Sequence, residues 1–283
     1  MKLIAYSKAL YATWIYYSPD RLLFDAGESV SSILGNKSFA IQRVFLSHGH
    51  TDHVAGILGL INIRNSGMGD TEKPLYVYYP RGNYHILELI NYIKQTNRHL
   101  RYRLEWIPLE AGDRVEIFDK GQNRRTVEIF ETVHTHNEIS LGYTVLEERT
   151  RLKADYQDLA QDEIMRLIRE GKRDEITEVY EQRLLSYGGD SAPIDPKKIT
   201  GTEILCHDTT FLNEEDRKEY KHATLDEAIE VAREAGVKRE LLCIHISSRY
   251  RNDIKKTSEM IAQKYDLDFE VTLIPPGRIF RKG

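Results

Sequence analysis

His48-Gly49-His50-Thr51-Asp52-His53 crowds three imidazoles and a carboxylate into six residues. The stretch follows an apolar, β-type run, Val44-Phe45-Leu46, and opens into a helix-like segment from Val54 to Ile63. A tight turn between strand and helix gathers the four side chains about one point. Neutral imidazole nitrogens and a carboxylate oxygen are the donors that zinc and similar divalent ions prefer, so the stretch reads as a metal site.

Other apolar runs also end in a donor. Val127 to Val133 ends in His134, Leu184 to Gly189 in Asp190, and Leu241 to Ile244 in His245. Donors at the ends of adjacent strands converge on one rim of a sheet. Asp190, after a Gly-Gly turn that lets backbone approach closely, is the candidate for a carboxylate shared by two metals. His136 lies two residues beyond His134 and on the same face, so the two compete; His134 is preferred because it directly follows the strand run. Of ten histidines, only His85 and His99 fall outside these motifs and read as ordinary surface residues.

A chain of 283 residues can bury a substantial core, and 41% hydrophobic with 30% charged content suits a soluble globular protein. No apolar run approaches membrane-spanning length, and Met1-Lys2-Leu3 leads into mixed sequence rather than a secretory leader, so no membrane partner is expected. Two cysteines, Cys206 and Cys243, exclude a disulfide scaffold and a cysteine-rich zinc site. Both sit in apolar runs and read as buried strand thiols, which suits a reducing cytoplasm. The net charge of −4 means that a nucleic-acid enzyme of this composition must concentrate its cations locally.

Ala12–Tyr17 and Leu22–Phe24 read as a hairpin, Leu75 to Tyr79 as a strand, and Ile86, Leu89, Ile90 and Ile93 recur at helical spacing. Val115 to Phe118 resumes the strand pattern. In the second half Ile204 to Cys206 and Leu241 to Ile244 are short strands, and the helix from Leu225 to Ala235 stops at Gly236. From Glu147 to Arg183 the texture changes to dense charge with few strand signals, eight basic against eleven acidic residues, and an amphipathic stretch at Ile164, Leu167 and Ile168. This segment reads either as a solvated helical excursion or as an insertion that touches a macromolecular substrate.

His-x-His-x-Asp-His resembles the motif of the metallo-β-lactamase fold superfamily. The resemblance implies an α/β (α+β) fold, an αββα four-layer sandwich of two mixed sheets flanked by helices. It implies one domain over residues 1–283 with a charged inserted arm at about 147–183. It also implies two divalent metal ions, zinc first with manganese or iron as alternatives. His48, His50, His134 and Asp190 would hold one; Asp52, His53, Asp190 and His245 the other.

Further motifs narrow the substrate. Gly189-Asp190-Ser191-Ala192-Pro193, His207-Asp208-Thr209-Thr210-Phe211, Lys221-His222-Ala223-Thr224 and His245-Ile246-Ser247-Ser248-Arg249-Tyr250 together resemble ribonuclease Z, the endonuclease that trims the 3′ end of precursor tRNA. The similarity spans essentially the whole chain, from the Phe24-Asp25-Ala26-Gly27 turn to the last strand, and includes Arg151 to Tyr156 of the short form. It implies a cytoplasmic homodimer acting on precursor tRNA. Asp52 would orient the attacking hydroxide or take its proton, and His222, oriented by Asp208, would protonate the departing ribose oxygen. Ser247, Ser248 and Arg249 would donate to phosphate oxygens, while Tyr250 either stacks or packs.

The chain departs from the family in two places. It has Asp208 where the relay commonly carries glutamate, one methylene longer, and its arm lacks the basic, Gly-Pro-bearing character of longer forms. His207 reads equally as a site residue or a satisfied core histidine. The same centre serving small phosphodiesters or other nucleic-acid ends is the alternative reading. A non-catalytic tRNA-binding protein is a third, disfavoured by the full donor set.

Overall fold

The computed structural model describes residues 3–67, 73–118 and 124–283. Among these residues, fourteen strands form two seven-stranded mixed sheets. The first sheet holds β1 (Leu3–Lys8), β2 (Ala12–Tyr17), β3 (Leu22–Phe24), β4 (Arg43–Phe45), β5 (Leu75–Pro80) and β6 (Leu104–Leu109). The second holds β7 (Arg114–Phe118), β8 (Arg125–Thr132), β9 (Ser140–Leu152), β10 (Thr177–Tyr187), β11 (Ile204–Asp208), β12 (Glu240–Ile244) and β13 (Glu270–Leu273). The final strand, β14 (Ile279–Lys282), returns to the first sheet beside β1.

Strands β1 to β3 and β7 to β10 run antiparallel to their neighbours, whereas β3 to β6 and β10 to β13 are parallel. The central strands of both sheets, such as β2, β3, β11 and β12, are buried on two faces and read as nearly continuous apolar runs. Ile15 and Tyr17 of β2 face the core between the sheets, with Phe24, Phe45, Val127, Tyr143, Leu185 and Leu242. Trp14 and Tyr16 point the other way, under the helices α1 (Val30–Leu34), α3 (Ile57–Gly67) and α4 (Tyr84–Thr96); the short α2 (Thr51–Val54) lies between α1 and α3 in the chain. On the far face of the second sheet, Leu205, Leu241 and Cys243 pack under α7 (Leu225–Glu234) and α8 (Ile254–Lys264). Three apolar layers between four structural layers make the expected sandwich. Among the described residues no helix is long and apolar enough to cross a membrane.

Two sequence readings need correction. Val54 to Ile63 is not one helix: the chain breaks at Ala55–Gly56, where the Gly56 N–H turns away to the Ala26 carbonyl at 2.8 Å. The 147–183 segment is also not poor in strand. β9 and β10 extend through both its flanks, pairing from Leu152↔Thr177 inward, and only its tip is helical, in α5 (Gln161–Arg169) and α6 (Arg173–Ile176). Cross-strand ion pairs take the place of apolar alternation there. Arg151 lies directly opposite Glu178 and bonds to it at 2.7 Å, and Arg125 lies opposite Glu147, also at 2.7 Å.

The topology sets the site. The C-terminal ends of β3, β4, β8, β10, β11 and β12 all emerge on one rim, and the donor-bearing loops leave from them.

Candidate metal centre

Two buried aspartates organise the rim, one from each sheet. Asp25, just past β3, has no exposed surface. It accepts the Ser47 backbone N–H at 2.6 Å, the Ser47 hydroxyl at 2.7 Å, and the His53 Nδ1–H at 2.6 Å. The Tyr187 hydroxyl also donates to it. Ser47 in turn lies 3.0 Å from His48 Nδ1. Asp25 thus holds His53 directly and His48 through a hydroxyl.

Asp208, the last residue of β11, repeats the arrangement in the other sheet. Its Oδ2 lies 2.6 Å from His222 Nδ1, and its Oδ1 accepts the Thr210 hydroxyl at 2.8 Å. Thr210 Oγ1 lies 2.8 Å from His245 Nδ1. With Nδ1 committed in His48, His53 and His245, each ring presents Nε2 toward the rim. This is how outer partners fix the tautomer of a metal-binding imidazole. His134 does the same, its Nδ1 3.1 Å from the Lys221 carbonyl.

The inward-facing atoms form two groups, each with every member within 4.8 Å of the others: His48, His50 and His134, and Asp52, His53, Asp190 and His245. His48 Nε2 is buried without a hydrogen-bond partner among the described atoms, and His53 Nε2 and Asp190 Oδ1 are buried with only each other. Asp190 Oδ1 is 3.0 Å from His53 Nε2 and its Oδ2 is 3.1 Å from His245 Nε2. Orphaned, converging imidazole and carboxylate atoms are costly to bury and fit divalent cations in their midst. Electrostatics agree. Burial, reinforced by the charge of His53, holds His48 well below the ordinary histidine range, as a neutral ligand requires. Burial opposes charge on His53 as well, but Asp190 and Asp25 overcome it and lift its pKa well above normal. A divalent cation beside Asp190 would stand where that proton stands.

A third cluster of titratable groups, Asp190, Asp208, His222 and His245, also lies close together. Asp208 is already saturated, taking donors from Thr210 N and Oγ1 on one oxygen and from Ser191 N and His222 on the other. It is an acceptor for histidines rather than a metal ligand. Burial disfavours the charged form of His222, yet the Asp208 carboxylate raises its pKa to about 9. Its ring stacks on His245 at 5.2 Å and stands 4.9 Å from that of His134. The shorter aspartate therefore reaches its histidine. His207 is a core residue: fully buried, with Nδ1 on the Asp208 carbonyl at 2.7 Å and Nε2 accepting from Ile194 N at 3.2 Å.

Backbone conformation is spent on this rim. Asp25 and His245 adopt φ of 55° and 58°, a left-handed geometry uncommon outside glycine and concentrated at functional sites. Gly49 has no room for a side chain, since a Cβ would come 2.5 Å from Asn83 Oδ1 and 2.9 Å from Glu138 Oε1. Glu138 accepts the Gly49 N–H and Asn83 Nδ2, both at 2.7 Å, and pairs with His85 at 3.0 Å. It clamps the backbone between His48 and His50.

His134 is buried at the rim whereas His136 is exposed in the following turn. Ser247, Ser248 and Arg249 follow His245 after one residue, Ile246, but Arg249 turns to Asp216 at 3.3 Å. Tyr250 is packed and buried, its hydroxyl on Asp216. Asp25, Glu138, Thr210 and Ser7, whose hydroxyl accepts the His245 N–H at 2.7 Å, had no assignment from sequence. Asp25 and Thr210 left only a trace, in the Phe24 to Gly27 turn and the His207 to Phe211 motif. His85 is no ordinary surface residue: its ring lies 6.3 Å from that of His50.

Comparison with known proteins places this geometry. The model of the β-lactamase superfamily domain matches residues 20–156. A ribonuclease Z of Sulfolobus acidocaldarius is 30% identical over 275 residues, covering 90% of this chain and 86% of that protein. A ribonuclease Z of Metallosphaera sedula is 32% identical over 279 residues, covering 92% and 88%. The crystal structure of the short form of human tRNase Z superimposes with a TM-score of 0.64 at 19% identity, over 99% and 98% of the two chains.

Proposed function

The chain belongs to the ribonuclease Z family, and from that premise we propose that it is a metal-dependent endoribonuclease that removes the 3′ trailer of precursor tRNA. His48, His50, His134 and Asp190 would hold one divalent ion, and Asp52, His53, Asp190 and His245 a second, with zinc the first candidate for both. Such a pair supplies an activated water and neutralises charge on the scissile phosphate.

The chain's own groups do the rest. Asp52, whose Oδ2 is 3.3 Å from His245 Nε2, orients the attacking water and accepts its proton. The new P–O bond forms opposite the ribose 3′-oxygen, whose bond to phosphorus breaks. The trailer leaves with a 5′-phosphate. His222 gives its proton to the departing 3′-oxygen, and Asp208 keeps it protonated until then. Ser247 and Ser248 donate to phosphate oxygens, and Arg249 does so when it leaves Asp216. The working state in this reading is a cytoplasmic homodimer, as in the family.

The observation that carries the reading is His222: a histidine kept charged by Asp208, 20% exposed, stacked on the ring of His245 at the edge of the donor cluster. A metal-storage or purely structural site has no use for a positioned acid there. The test is cleavage of a precursor tRNA bearing a 3′ trailer, with added zinc or manganese, by wild type, Asp52→Ala and His222→Ala. Trailer release at one position that leaves a tRNA 3′-hydroxyl, abolished by the first variant and slowed by the second, is expected. An intact precursor alongside metal-dependent hydrolysis of a small phosphodiester would sink the tRNA assignment and leave the chemistry standing.

A further inference from the structure

The rim carries a second feature beside the donor cluster. β1 runs parallel to β3, so its C-terminal residue Lys8 emerges on the same rim as Asp25. The chain leaving β13 returns there through Pro275 to Arg278, held by the Gly277 N–H on the Ser7 carbonyl at 3.2 Å. The turn after His245 closes the third side. Together Lys8, Ser248, Arg251, Pro276, Gly277 and Arg278 enclose a cavity of about 270 Å³.

Three cations line this cavity and no acid does. Among the described residues, no carboxylate pairs with Lys8, Arg251 or Arg278; Lys8 Nζ rests only on the Tyr11 ring, 3.4 Å from its centroid. The contrast with another cavity on the second sheet is direct. There Arg114 is bound by Glu128 and Glu181, and Arg124 by Glu116. In a chain of net charge −4, three unpaired cations around one hollow are not background. The hollow is also wired to the metal centre: Ser7, adjacent to Lys8, accepts the His245 N–H at 2.7 Å. Ser248 is three residues beyond the same ligand, so the cavity wall starts within roughly 10 Å of it.

From this the geometry points to a phosphate-binding subsite formed by Lys8, Arg251 and Arg278, with Ser248 as a hydroxyl donor, that holds an RNA backbone phosphate flanking the scissile one. The inference rests on the reading that the chain acts on RNA. Arginine suits the task because its fork engages two phosphate oxygens at once. The subsite fixes the register of the strand and leaves the bond-breaking groups untouched.

The test uses the metal-loaded full chain and the double variant Arg251→Ala/Arg278→Ala, with Lys8→Ala as an independent second variant. Affinity for precursor tRNA is measured across a salt series, together with hydrolysis of bis(p-nitrophenyl) phosphate. The expected result is a Kd about tenfold weaker for the double variant and a salt slope reduced by about one, one phosphate contact having been lost. Small-diester hydrolysis should be unchanged, and Lys8→Ala should shift Kd in the same direction. A Kd and slope equal to wild type would overturn the subsite, and so would a parallel fall in small-diester hydrolysis, which would mark structural damage. If wild type ignores precursor tRNA, the tRNA reading fails on its own. The subsite is then judged by a pentauridylate, bound more tightly by wild type than by the double variant if it holds backbone phosphate, and equally if it does not.

Discussion

Asp25 and Asp208 sit in different sheets and make nearly the same connections, yet they serve different ends. Each is fully buried, holds one histidine directly at 2.6 Å, and reaches a second through a hydroxyl, Ser47 or Thr210. The difference lies in where the directly held ring stands. His53 is wholly enclosed with its Nε2 against Asp190, whereas the His222 side chain is 20% exposed. An enclosed ring with a fixed tautomer can ligate; a partly open ring kept charged can give up a proton. In the proposed reading, burial of the partner histidine, rather than the identity of the carboxylate, separates ligand from acid.

The comparison breaks most visibly through Asp208→Asn. Removing the charge that raises His222 to about 9 leaves burial dominant, so the ring loses its proton at a lower pH. A proton donor works below its pKa, so wild-type cleavage should hold on the acid side and fall above about pH 9, and in the variant that fall should move toward neutrality. Single-turnover cleavage at neutral pH should drop by roughly 10²- to 10⁴-fold, the usual worth of a positioned acid. Bound metal should stay near the wild-type amount. An unchanged alkaline limb would remove His222 as the acid.

Asp25→Asn should fail in the opposite way. His53 loses the partner that fixes its tautomer, and metal affinity should fall by roughly 10- to 100-fold. Competition with a chelator measures this, and excess metal should restore much of the cleavage. Rescue of the Asp25 variant but not of the Asp208 variant is the sharpest form of the comparison. The hydroxyl links should matter less. Ser47→Ala and Thr210→Ala each remove one hydrogen bond, so a loss of about tenfold or less in metal retention is expected from either.

The arm should matter least. Arg149, Arg151, Arg166 and Lys172 are already engaged by Glu147, Glu178, Glu163 and Glu170. Arg151→Ala should change stability by under about 1 kcal/mol, as exposed ion pairs do, and precursor affinity by less than the loss of Arg251 and Arg278. Thermal denaturation and the same salt series decide it, and a steeper affinity loss from the arm variant would reverse the ranking.

The same contrasts explain what could be read in advance. Four donors in six residues are a short-range signal, and apolar runs ending in His134, Asp190 and His245 extend it along the chain. The supports are long-range. Asp25 meets Ser47 across 22 residues and Glu138 meets Gly49 across 89, so nothing local to either acid announces its partner. His85 looked solitary for the same reason. The outer halves of β9 and β10 were hidden because their faces are stabilised by opposed charges, which alternation of apolar residues does not detect. Of the cations at 8, 251 and 278, the last joins Lys8 only when β14 returns to β1, and Arg251 comes from the other sheet, after His245, which meets Ser7.

The central claim is that the rim holds two metals joined by Asp190, and metal content tests it without reference to any substrate. Elemental analysis of the purified chain, loaded with zinc and freed of excess, should give about two ions per chain for wild type. In Asp190→Ala, which takes a donor from the second group and, in the proposed arrangement, the carboxylate shared with the first, it should give one or fewer. Two ions retained by the variant, or one ion or fewer bound by wild type, would contradict the account.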